Sequence, residues 1–124
     1  MEISGFWKVN EVNVFDENFK QTWRTVEDIL ADASVNMMQK AIAQGAYLFR
    51  DDGTVISLMA KALVPEGEGE AFDSNYVIAH ESKWKNEGGK LFIAAEENGQ
   101  DDWQEMIPVG SGFEIFGYQR IVRG

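Results

Sequence analysis

The sequence predicts a mainly β single domain over residues 1–124: an antiparallel up-and-down barrel of about seven or eight strands, with a helix–turn–helix insert after the first. Three observations carry this expectation. The chain opens on a run of alternating character, it contains one stretch of helical periodicity, and everything after Gly45 is strand and turn.

Residues 3–14 read as the first strand. Ile3, Gly5, Trp7 and Val9 fall on one face, and Ser4, Phe6, Lys8, Asn10 and Val12 on the other. Residues 15–18, Phe-Asp-Glu-Asn, read as a turn, because Asp and Asn bond readily to nearby backbone. Residues 25–44 carry the helical signal. Thr25 with Asp28 three positions on resembles a capping box, and Glu27 and Asp28 suit the positive end of a helix dipole. Val26, Ile29, Leu30 and Ala33 make one apolar stripe, whereas Val35, Met38 and Ile42 would lie roughly opposite it at about 100° of rotation per residue. A break at residues 32–34 removes that conflict, with Ser34 as the expected second N-cap and Gly45 as the stop.

Strands are expected at 46–50 and 54–61 around Asp51-Asp52-Gly53, then at 75–84 and 90–97 around the turn 85–89. Two more are expected at 102–109 and 113–122, separated by Gly110-Ser111-Gly112. Residues 64–75, centred on Pro65-Glu66-Gly67-Glu68-Gly69-Glu70, read as the one long loop. No repeat or second domain is evident.

Composition narrows the function. The chain has 124 residues, 44% apolar and 12% aromatic, enough for one core and no more. A net charge of −10, from 21 acidic and 11 scattered basic residues, argues against nucleic acid as a partner. The absence of cysteine removes disulfides, thiolate metal sites and thiol catalysis and fits a cytoplasmic protein. Apolar runs are far short of the ~20 residues of a membrane span, and the first residues carry no signal-peptide pattern.

No motif for catalysis, a metal or a cofactor is present, so no enzymatic activity and no cofactor are expected. His80 is the only histidine and reads as a structural or surface residue, since Glu81 points to the opposite strand face. The carboxylate pairs Asp16/Glu17, Glu96/Glu97 and Asp101/Asp102, with the triplet Glu66, Glu68 and Glu70, read as solvated turns. None matches a calcium loop. Met37, Met38, Met59 and Met106 fit ordinary core filling, the commoner use, or an adaptable apolar lining.

The opening Gly5-Phe6-Trp7-Lys8-Val9 followed by Phe15-Asp16, and the closing Tyr118-Gln119-Arg120 with Arg123, resemble the ends of calycin barrels, the superfamily of lipocalins and fatty-acid-binding proteins. The resemblance implies a barrel whose first-strand Trp7 plugs the closed end, covered by Arg120 or Arg123. It also implies a cavity for a small apolar or amphipathic molecule. Trp7, Met38, Phe49, Met59, Phe92, Tyr118 and Arg120 are the candidate ligand-binding residues, a selection that depends on strand facing. The intracellular fatty-acid binders end in Arg-x-Tyr, and here the order is reversed. The alternative is a structural or protein-interaction domain whose 15 aromatics fill its own interior. A third architecture, a cystatin-like enzyme cone, usually places its helix before the first long strand. Oligomeric state is not encoded in any of these features.

Overall fold

The computed structural model describes residues 3–15, 18–65, 67–97 and 99–124, and at Glu96 and Glu97 the backbone alone. The chain is mainly β and antiparallel, with two short helices. In order, β1 (Gly5–Phe15), β2 (Gln21–Thr25), α1 (Val26–Ala31), α2 (Met37–Ala43), β3 (Ala46–Phe49) and β4 (Thr54–Ala60) lead to a 3-10 turn at Lys61–Leu63. Then follow β5 (Glu70–Ala71), β6 (Tyr76–Glu87), β7 (Lys90–Glu97), β8 (Gln100–Glu105), β9 (Ile107–Val109), β10 (Gly112–Ile115) and β11 (Gln119–Arg123).

The described strands form one 11-stranded sheet in the order β8-β7-β6-β4-β3-β1-β11-β10-β9, with β2 added to β1 and β5 to β6. Two expectations are corrected by this. The strand count exceeds seven or eight because β2 and β5 form, and because the runs 102–109 and 113–122 each split. The hydrogen-bonded path is also open, ending at β8 and β9, so it is not a closed barrel.

The two ends are nevertheless neighbours in the chain, separated by Met106 alone. Met106 donates its N–H to Leu91 O at 2.8 Å in β7, and its side chain is buried. Beyond it the chain leaves β7 and pairs with β10 instead. The first and last strands do pair: Trp7 lies opposite Arg123 and Val9 opposite Ile121.

A bulge between Val9 and Glu11 changes the facing of β1. Beyond it Val12 and Val14 join Trp7 and Val9 inside, so Val12 lies on the face opposite to the one expected from simple alternation. The inner core runs from Trp7 and Phe49 through Phe113, Ile115 and Ile121 to Met106. A second cluster lies on the other side of β3 and β4, where Ala46, Ile56 and Leu58 pack with Phe6, Leu48, Phe72 and Tyr76. The segment 64–75 is thus not a bare loop, because it carries β5 and lays Phe72 against that cluster.

The helix pair forms with one cap moved. Thr25 Oγ1 accepts from Asp28 N at 3.2 Å, as expected, and Ile29 is the buried residue of α1. The second cap is Asn36 rather than Ser34: its Oδ1 accepts from Gln39 N at 2.8 Å. Ser34 instead donates through both its backbone and its hydroxyl to Asp32. Leu30 and Ala33, assigned to the apolar stripe, are exposed, since six residues of helix bury only the side facing Ile29.

Other boundaries move less. Residue 15 belongs to β1, and Asp16 and Glu17 lie outside the described residues, as does Glu66. β6 runs to Glu87, so the turn before β7 shortens to Gly88 and Gly89, both at positive φ. The run 113–122 breaks at Phe116 and Gly117, which take φ of 55° and 75° and turn the chain from β10 into β11.

Candidate functional site

One end of the inner face is filled and the other is hollow. At the filled end Trp7 is 1% exposed, donates Nε1–H to Ile3 O at 2.7 Å and meets Phe113 edge-on at 5.6 Å. The Arg123 guanidinium lies 4.6 Å from the Trp7 ring and donates to Ser4 O at 2.7 Å. Gly5 makes room for that arrangement. It has φ of +122°, and a Cβ there would stand 2.7 Å from Arg123 Nη1. The cover over Trp7 is therefore Arg123.

Arg120, the other candidate cover and a proposed ligand contact, faces outward. It stacks at 3.9 Å over Trp23 and sits 3.5 Å from both Glu11 and Glu114. The cause is alternation: Gln119 and Ile121 are buried, which turns Arg120 to the opposite side. Phe92 is out as well, set between buried Leu91 and Ile93 with Lys85 Nζ 5.5 Å above its ring. Trp7 and Phe49 are inside but belong to the solid core, where Phe49 meets Trp84 edge-on at 6.2 Å.

The remaining three candidates come together. Met38, Met59 and Tyr118 line a hollow of about 300 Å³ where α2 joins β3. Ala41 and Ile42 of α2 form one wall and Ser57 and Met59 of β4 another. A neighbouring hollow of about 240 Å³ shares Tyr47, Ser57 and Tyr118 with it and continues past Val55, Ile93 and Phe116 to His80 and Ser82. Met38, 74% exposed, stands at the rim.

The polar centre is a pair that sequence reasoning missed. Tyr47 donates its hydroxyl to Gln119 Oε1 at 2.5 Å, and Gln119 Nε2 donates to Ile42 O at 3.2 Å, tying β3, β11 and α2 together. Both residues are buried. Burial pushes the Tyr47 hydroxyl well above its ordinary value, and the neighbouring Tyr118 pushes it the same way. Burial also raises Tyr118. A neutral glutamine between Tyr118 and Arg120 gave no signal by itself. Its inward facing follows from the pairing of Val12 with Gln119, across the bulge, and no periodicity marks that position.

His80 is exposed and lines the second hollow. Among the described residues no group of three or more acidic or histidine side chains is placed to hold a metal ion. Of the acidic pairs, Asp101 meets Lys83 Nζ at 3.3 Å and Asp102 accepts from Gln104 at 2.8 Å, both as surface contacts. The side chains of Glu96 and Glu97 lie outside what is described. No helix among the described residues is long and apolar enough to cross a membrane. No protein-family model, curated protein or solved structure matches this chain.

Proposed function

We propose that this chain is a calycin-like binder of a small apolar or amphipathic molecule, held in the hollow beneath α2, and that it binds without chemical turnover. The observation that carries the reading is the hollow's make-up: apolar walls around one buried, hydrogen-bonded polar pair, Tyr47 and Gln119. Binding pockets combine a large apolar lining with a few fixed polar groups in this way. The calycin comparison rests on the paired first and last strands, the helix pair that follows the β1–β2 hairpin and Arg123 over Trp7. In this reading the sheet curls until β8 and β9, joined through Met106, complete the ring by chain continuity. A cytoplasmic location fits a chain without cysteine, and its net charge of −10 disfavours nucleic acid as partner.

A second reading, a protein-interaction domain, draws support from Phe19 at 85% and Met37 at 70% exposure. Titration with an environment-sensitive apolar dye separates the two. The binder reading expects saturable enhancement at one site. It also expects loss of that signal in Ala79→Trp, since Ala79 lines the hollow from an exposed position and a ring there occupies it. Enhancement that is absent, or indifferent to Ala79→Trp, favours the interaction domain.

A further inference from the structure

We infer that the hollow selects an uncharged amphiphile, an apolar chain or ring bearing a hydroxyl or carbonyl, over a carboxylate of the same size. The inference rests on the binding reading above and narrows it to a ligand class.

Its basis is the hydrogen-bond inventory of the polar centre. Gln119 is 4% exposed, its Oε1 is taken by the Tyr47 hydroxyl and one Nε2 hydrogen by Ile42 O. An amide has two N–H donors and a phenol oxygen retains acceptor capacity after donating. One donor on Gln119 and one acceptor on Tyr47 therefore remain for a ligand. A ligand hydroxyl matches both, donating to Tyr47 and accepting from Gln119. A ligand carbonyl uses the Gln119 donor alone.

A carboxylate matches neither well. It is acceptor-only, so the Tyr47 oxygen repels it, and neutral donors alone, the Gln119 N–H and the Ser57 and Tyr118 hydroxyls, are left to replace its whole hydration shell. No Lys or Arg lines either hollow among the described residues. The basic side chains of β11 are engaged elsewhere, Arg120 with Trp23 and Glu11, and Arg123 with Trp7 and Ser4. His80, the one basic group in the lining, is exposed and belongs to the second hollow, apart from Gln119. The overall charge of −10 adds unfavourable potential for any anion.

The test is competition of decanol against decanoate for the dye-loaded full chain at neutral pH. Decanol is expected to displace the dye at least about tenfold more tightly than decanoate. Tyr47→Phe is expected to narrow that margin. His80→Gln, which removes the only basic group of the lining, is expected to leave the margin intact. Decanoate binding as tightly as decanol overturns the inference and leaves the binder reading standing. Failure of dye, decanol and decanoate alike removes both. Should Tyr47→Phe fold poorly, the parent chain's own preference between the two probes still decides.

Discussion

Gly5, Trp7 and Arg123 form a unit whose three parts constrain one another. The ring offers its face to a guanidinium, the guanidinium reaches back to Ser4 O, and the glycine leaves the space it passes through. Arg123→Met is expected to lower stability by about 1 kcal/mol, the scale of an exposed cation–π contact with a charge-assisted hydrogen bond. Gly5→Ala is expected to cost at least about 1 kcal/mol, because alanine is strained at positive φ. Urea denaturation measures both, and the two losses should fall short of additivity in the double variant, since the residues meet. Asp32 gives a pH-dependent counterpart. Donation from the Ser34 hydroxyl and backbone, and then from Arg24, holds its carboxyl down at about 2 against an ordinary 3.8. A depressed carboxylate stabilises the fold above its unfolded value and loses that contribution as pH falls through the folded one. Asp32→Asn should therefore be less stable than the parent at neutral pH, with the gap closing between about pH 4 and pH 2.

Among the elements, caps and turns decide where the chain changes direction. Asn36→Ala is expected to destabilise by about 1 kcal/mol, the usual cost of an N-cap, and Ser34→Ala to act through Asp32 instead. At Gly112 a Cβ would lie 2.0 Å from Ile121 O, so alanine there must part β10 from β11. A loss of about 2 kcal/mol is expected in the melting curve, typical of overpacking. Much of this level was legible in advance. The Thr25 cap, the Asp51-Asp52-Gly53 hairpin and the strand character after Gly45 follow from local chemistry and appear as expected. What was not legible depends on contacts distant in sequence. The bulge after Val9 arises where β1 pairs with β11, over a hundred residues away, and it carries Val12 and Val14 to the inner face. Phe116 at positive φ interrupts a run whose composition reads as unbroken strand. Phe72 lies in a charged, glycine-rich segment and packs only because a second cluster exists on the outer side of β3 and β4.

At the scale of the whole molecule, the candidate site follows the same division. Met38 and Met59, adaptable apolar groups, and Tyr118 with its hydroxyl line one hollow, while Arg120 and Phe92 face outward because strand alternation places them there. Tyr47 and Gln119 were absent from that selection because their importance lies in a hydrogen bond between residues 72 positions apart. The sheet holds a solid end built on Trp7 and Phe49 and a hollow end beneath α2, with Met106 carrying the chain from one edge of the ladder to the other. Amide chemical-shift mapping of the full chain during a decanol titration tests that division most directly. Shifts are expected to concentrate at Tyr47, Ser57, Tyr118 and Gln119, with Phe49 and Phe113 still. Shifts confined to exposed positions such as Phe15, Phe19 and Met37, or none at all, would contradict it.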